Sequence, residues 1–188
     1  MNSFIYIDNI DVSNIAEKFE MYNDWDNSYT RSRRDAFEVH RDTSVIPLMW
    51  SMDSISSHPS QRAPTTEYWD RYFDQHFFNT LHDKIYSFKK GYPVRVLFTL
   101  LKANGQIPVH VDGGVSLTIN SRIHIPIITN NDVLFTVNGE TKNILSGEIY
   151  EINNQSYHGV RNNSSKDRIH LIVDWYEDTR LVNVKIKR

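Results

Sequence analysis

Val133-Leu134-Phe135-Thr136-Val137-Asn138-Gly139-Glu140-Thr141-Lys142-Asn143-Ile144 carries a strong hairpin signal. Two runs of β-forming residues flank an Asn-Gly pair, and Asn-Gly tolerates the positive φ values that a two-residue antiparallel hairpin requires. Comparable runs lie on both sides of it. Residues 94–101, 107–111 and 116–128 precede it, and 148–153, 157–160, 169–176 and 181–186 follow. Helical patterns do not alternate with these runs, which excludes a parallel α/β sheet. The second half of the chain therefore predicts a mainly β architecture, an antiparallel barrel or a double-sheet jelly roll.

The first half has a different texture, so a single domain is expected, with 1–90 as helical and irregular support and 93–188 as the core. Ser13 is placed to cap a helix through Met21, with Ile15 and Phe19 on its buried face. The polar segment with Arg31, Arg33 and Arg34 reads as a solvated loop, with a binding patch as the alternative. Residues 45–50 read as a strand, and the Ser-rich stretch 51–60 as a loop. From about Thr65 to Phe88 the apolar positions Trp69, Tyr72, Phe73, Phe77, Leu81, Ile85 and Phe88 recur at three- and four-residue steps. That spacing predicts one long helix covering the outer face of a sheet. Trp25, Trp50, Trp69 and Trp175 read as packing residues, and His76 and His82 are given no function.

Composition narrows the function. The 188 residues carry 21 Lys+Arg against 23 Asp+Glu, a formal charge of -2, which argues against a dedicated nucleic-acid binder. Cysteine is absent, which removes thiolate metal sites, iron–sulfur clusters, disulfide frameworks and cysteine nucleophiles. Neither a membrane span nor a secretory leader is expected, and the chain reads as a soluble, cytoplasmic protein. Gly113-Gly114 reads as a turn, not as a phosphate loop.

The residues with chemical potential lie in the β half. His110 and Asp112, two apart on a strand, share one face, with Val109 and Val111 expected to pack on the other. With His158, 48 residues later, they make two imidazoles and one carboxylate, the donor set of non-haem Fe(II) oxygenases. Three such residues could also be satisfied surface groups. Arg122 and His124 lie on the otherwise apolar strand through Ile123, Ile125 and Ile127, and Arg168 begins the run Ile169-His170-Leu171-Ile172-Val173-Asp174-Trp175. A guanidinium in a buried strand needs an anion, and a dicarboxylate such as 2-oxoglutarate would supply one. Internal ion pairs are the competing explanation. Arg168 and Asp174, about 20 Å apart on one strand, are too distant to pair directly, while cross-strand pairs stay open.

The ordered set Thr99, His110-Val111-Asp112, Arg122-Ile123-His124-Ile125-Pro126, Gly147-Glu148, His158 and Arg168-Ile169-His170-Leu171-Ile172-Val173-Asp174 resembles the aspartyl/asparaginyl β-hydroxylase family of Fe(II)- and 2-oxoglutarate-dependent dioxygenases. The resemblance runs from about residue 94 to 176. It implies a double-stranded β-helix (jelly roll, cupin-like) with supporting N-terminal helices, and Fe(II), 2-oxoglutarate and O2 as cofactor and co-substrates. By carry-over His110, Asp112 and His158 would hold the iron. Arg168, assisted by Thr99, would hold the distal carboxylate of 2-oxoglutarate. Arg122 and His124 would sit near the iron-chelating end, and Val160 would line the pocket. The implied reaction hydroxylates an amino acid, free or within a peptide, of the Asp/Asn or Pro type. Some members replace the carboxylate ligand by Gly; here Asp112 is present, as in the branch acting on free amino acids.

A non-oxidative cupin-like metal-binding protein, or a small-ligand binding module, is the alternative, and it has no need of an arginine at 168. His170 shares the face of Arg168 and reads as a packing or hydrogen-bonding partner. His40, in His40-Arg41-Asp42-Thr43, reads as a surface residue, with contact to the substrate as the alternative.

Overall fold

The computed structural model describes residues 2–50, 58 and 60–182. Ten strands form two antiparallel sheets. β1 (Phe4–Asn9), β2 (Thr43–Met49), β3 (Gly91–Leu101), β5 (Ser121–Ile128), β8 (Glu148–Ile152) and β10 (Arg168–Glu177) make the larger sheet, in the order β1-β8-β5-β10-β3-β2. The smaller sheet contains β4 (Gln106–His110), β6 (Val133–Val137), β7 (Glu140–Lys142) and β9 (His158–Asn162), in the order β4-β9-β6-β7. This is the expected jelly roll. At the tip of the β6–β7 hairpin, Asn138 and Gly139 have φ of 48° and 80°, the two positive values of the predicted turn.

Side-chain alternation gives the larger sheet two different faces. Ile123, Ile125 and Ile127 on β5, Ile169, Leu171 and Val173 on β10, and Val96, Phe98 and Leu100 on β3 pack outward into one apolar cluster. The cluster is covered by Ile15 of α1 (Ser13–Met21), Tyr72 of α3 (Trp69–Tyr72) and Phe77, Leu81 and Ile85 of α4 (Gln75–Phe88). Burying such side chains is worth roughly 1.5–3 kcal/mol each and ties the helices to the sheet. Between the sheets lies a second cluster, Phe4, Leu101, Val133, Phe135, Val137, Ile144, Tyr150, Ile152 and Val160.

Several expectations change. The division near residue 90 does not separate support from sheet, because β1 and β2 complete the larger sheet and β2 pairs with β3 along its length. The long helix is two. The chain leaves the helical conformation at Phe73, and Asp74 caps α4 by accepting a hydrogen bond from the amide of Phe77 at 2.8 Å. Phe88, the last residue of the stripe, is exposed. Ser13 is the first residue of α1, and its amide donates to the carboxylate of Asp11 at 2.9 Å. The predicted strand 116–128 begins with a short helix, α5 (Val115–Ile119), after Gly114 turns the chain at φ 92°. The carbonyl of Leu117 then accepts from the side-chain amides of Asn154 and Gln155, so tertiary contacts override local β propensity. Arg31, Arg33 and Arg34 lie on a helix, α2 (Ser28–Ala36), capped by Asn27, not in a loop. Val109 and Val111 do not pack: they are exposed on the outer side of the smaller sheet. Most of the loop 51–60 and most of the strand 181–186 lie outside the described residues, and Leu181 belongs to a short helical turn. Among the described residues no helix is long and apolar enough to cross a membrane.

Candidate active site

The alternation that points isoleucines at the helices points polar residues the other way. Arg95 and Thr99 on β3, Arg122 and His124 on β5, and Arg168, His170 and Asp174 on β10 all occupy the inner phase of the larger sheet. The smaller sheet faces them with His110 and His158, which are direct partners in the β4–β9 ladder. The β4–β9 register is irregular between Ile107 and His110, and Gly159 makes the irregularity tolerable. A Cβ at Gly159 would lie 2.9 Å from the carbonyl oxygen of Ile107 and 3.2 Å from the amide nitrogen of Val109. Both Ile107 and His110 thus line the cavity, where simple alternation would have separated them.

His110, Asp112 and His158 each offer a donor atom, and the three atoms lie within 4.8 Å of one another. Asp112 Oδ1 is 3.6 Å from His110 Nε2 and 3.9 Å from His158 Nε2. Both rings are oriented alike. Nδ1 of His110 donates to the carbonyl of Pro108 at 2.8 Å, and Nδ1 of His158 to that of Ser156 at 2.9 Å. Each Nε2 is left as a lone-pair donor aimed at the same point. The other carboxylate oxygen of Asp112 is occupied, accepting from Arg122 at 2.8 Å and from Asn154 at 3.2 Å. Burial pushes the Asp112 carboxyl up, but Arg122, His110, His158 and Asn154 outweigh it and hold the group well below the ordinary carboxylate range. Burial pulls His158 down and keeps it neutral, as a ligand must be. Burial also pulls on His110, but its hydrogen bonds to Asp112 and Pro108 raise it. Two neutral-capable imidazoles and one carboxylate, with no thiolate, suit a divalent iron-type ion with open positions.

Arg122 is committed elsewhere. It donates from Nε and a terminal nitrogen to both oxygens of Asp174, at 2.9 and 3.1 Å, besides its bond to Asp112. Arg95, not singled out in the sequence, donates to the same Asp174 at 2.6 Å. Asp174 faces Arg95 on one side and Arg122 on the other in the strand ladders, so cross-strand ion pairing is realised here. Arg122 therefore orients and charges Asp112, with three of its five N–H groups spent on Asp174 and Asp112.

Arg168 is the opposite case. It is 1% exposed, its Nε has no partner, and among the described residues no carboxylate pairs with it. Burial alone pulls its pKa down to about 9. The hydroxyl of Thr99 and the Nε2 atoms of His124 and His170 are buried without partners too. His124 and His170 approach each other at 3.4 Å between their Nδ1 atoms, and burial, then Arg168, holds both far below the usual histidine range. Arg168, Thr99, His124 and Val160 line one cavity with His110, Asp112 and His158, whereas His170 stands behind it. Arg33 and His40 also line this cavity, so for both the alternative to a surface place is the one the structure shows.

Residues 76–178 match the family model for aspartyl/asparaginyl beta-hydroxylase. The chain belongs to that family. It is thereby an oxygenase of the class that uses Fe(II), 2-oxoglutarate and O2. No curated protein sequence matches it. Among solved structures it is similar to a 2OG-Fe(II) oxygenase family oxidoreductase from Burkholderia pseudomallei, at 13% identity and TM-score 0.52, covering 92% of this chain and 93% of that one. It is also similar to the nickel complex of the non-heme monooxygenase ThoJ, at 10% identity and TM-score 0.53, covering 94% of this chain and 74% of that one. At such identities these likenesses speak for the fold. The family match omits β1, β2 and α2, so it leaves Arg33 and His40 to the structure.

Of the residues the sequence did not single out, Arg95 had a usable signal, being in phase with Thr99 four residues on. Asn154 had none, because it reaches the site from a turn with no regular alternation around it, and Arg33 had only the cluster of arginines to which it belongs.

Proposed function

We propose that this chain hydroxylates an amino acid, free or in a peptide, with His110, Asp112 and His158 holding Fe(II). In this reading Arg168 and Thr99 receive the distal carboxylate of 2-oxoglutarate, Val160 lines the co-substrate's path, and His124 stands near its chelating end. One observation carries it: a fully enclosed guanidinium without a counter-ion shares a cavity with the His/Asp/His cluster. An unpaired buried charge costs several kcal/mol, so a fold that maintains one has an anionic ligand to receive.

When bound, the metal and 2-oxoglutarate supply the oxidising chemistry: RH, 2-oxoglutarate and O2 give ROH, succinate and CO2. The protein's residues do the rest. Pro108 and Ser156 fix the imidazole tautomers, Arg122 and Asn154 fix the rotamer of Asp112, and the walls formed by Ile107, Phe135 and Ile172 keep water away. Arg168 presents a planar fork that matches a carboxylate.

The non-oxidative cupin-like reading has no use for a bare Arg168. Adding Fe(II) and 2-oxoglutarate without oxygen separates the two. The proposal expects a weak visible charge-transfer band that is lost in His110→Ala and His158→Ala, and turnover that releases succinate. No band and no succinate with any amino acid would favour the binding module.

A further inference from the structure

One cation of the cavity has no task in that reading. Arg33 projects from α2, and its terminal nitrogen lies 2.9 Å from Nε2 of His40. The Trp50 ring stands 5.5 Å from its guanidinium carbon. Its Nε is buried without a partner, and among the described residues no carboxylate pairs with it. The carboxylates within electrostatic reach are taken, Asp112 by Arg122 and Asp174 by Arg122 and Arg95. The 3-10 turn carrying His40 (Glu38–His40) packs against β4, the strand of His110, so the Arg33–His40 pair stands on the metal-ligand side of the cavity.

Charge counting makes the same point. Four arginines (33, 95, 122 and 168) face two aspartates (112 and 174), a surplus of 4 − 2 = +2. A divalent ion adds two positive charges and 2-oxoglutarate removes two, so the surplus survives when both are in place. His40, kept neutral chiefly by burial and then by Arg33, accepts from the guanidinium and contributes no charge of its own.

We infer that Arg33, steadied by His40, binds a carboxylate of the prime substrate beside the metal. The inference rests on the oxygenase reading and deepens it: the prime substrate carries a negative charge next to the bond that reacts. A guanidinium with unengaged donors takes a carboxylate through paired hydrogen bonds. Two sources share that chemistry, the free α-carboxylate of an amino acid and the acidic side chain of a peptide.

The test loads the full chain with Ni(II) and 2-oxoglutarate and titrates it by calorimetry. The probes are the twenty L-amino acids and two end-blocked tripeptides, Ac-Gly-Asp-Gly-NH2 and Ac-Gly-Glu-Gly-NH2, each against its carboxamide counterpart. At least one carboxylate probe is expected to bind ten-fold or more tightly than its amide. In Arg33→Gln the gap closes to within two-fold while Ni(II) and 2-oxoglutarate affinities stay within two-fold. Arg33→Lys, which keeps the charge, retains part of the gap and guards against a folding artefact. Preference among free amino acids assigns the α-carboxylate, and preference among the blocked peptides assigns the side chain. No discrimination by any probe, or a gap that persists in Arg33→Gln, overturns the inference. So does an Arg33→Gln protein that loses 2-oxoglutarate as severely as Arg168→Met. Failure of the wild type to bind 2-oxoglutarate, or binding indifferent to Arg168→Met, instead overturns the oxygenase assignment beneath it.

Discussion

Two ends of β10 present the same kind of charge and treat it in opposite ways. At Asp174 the strand lies between Arg95 and Arg122, each directly opposite in its ladder, and every charge has a partner. Six residues earlier Arg168 faces Leu101, and among the described residues no carboxylate pairs with it. The first end is a finished ion network that happens to touch the cavity; the second is half of one. A buried arginine is thus informative about ligands only after its neighbours have been counted.

The paired end of the strand is the more costly of the two to disturb. Asp174→Ala strips two enclosed guanidinium groups of their common counter-ion and is expected to destabilise the fold by about 3–5 kcal/mol, read from urea unfolding. A loss below 1 kcal/mol would mean that the network is not structural.

Arg168→Met should do the reverse in the protein without ligands. Removing an unpaired buried charge is expected to leave stability unchanged or raise it by about 1–2 kcal/mol, while 2-oxoglutarate affinity falls 100-fold or more, about 3 kcal/mol. Ligand stabilisation sharpens the contrast. At 2-oxoglutarate one hundred times the wild-type Kd, the metal-loaded wild type gains about 2.7 kcal/mol, and the Met variant gains about 0.4 kcal/mol or less at the same concentration. If Arg168→Met unfolds as readily as Asp174→Ala, the two ends are alike and the contrast fails.

Gly159→Ala acts on the geometry between the ends. Its methyl group must displace the backbone of Ile107 and Val109, which carries His110 away from His158. A loss of about 1–3 kcal/mol in stability and roughly ten-fold in metal affinity is expected, and unaltered metal affinity would detach the bulge from the site.

The smallest effect is in pH. His124 and His170 are held neutral in the folded state, with pKa values far below those of the unfolded chain. Above about pH 6.5 neither state binds the proton, and stability is flat with respect to these groups. As pH falls below that value the unfolded chain takes up protons that the folded one refuses, so stability declines by up to about 1.4 kcal/mol per unit for each histidine. Urea midpoints of the metal-free protein between pH 5 and 6.5 should show a slope reduced by about one proton in His170→Asn. An identical slope would remove His170 from the account.

Much of the fold is legible because it is local. The Asn138-Gly139 hairpin, the alternation on β5 and β10 and the His110-Val111-Asp112 triplet are all properties of short windows. What escaped depends on partners far along the chain. β1 reads as nothing in particular until β8 lies beside it, and α5 looks like a strand until Asn154 and Gln155 take up its carbonyl. Asp74 interrupts an unbroken aromatic stripe because its capping bond outweighs periodicity. At the cavity, the arginine at 122 and the arginine at 168 look alike in sequence, and only cross-strand register tells a paired one from a bare one. Arg33 looks like a solvated loop residue until α2 forms and β2 and Trp50 pack beside it.

Among the described residues β4 has β9 as its one ladder partner, and Val109 and Val111 are open to water. It is a short border strand, and such strands fray first. Yet it carries His110, and Asp112 follows directly behind it. An ion caught between those two side chains and His158 would act as a rivet through the margin of the smaller sheet, so acquiring metal and fastening that margin become a single event.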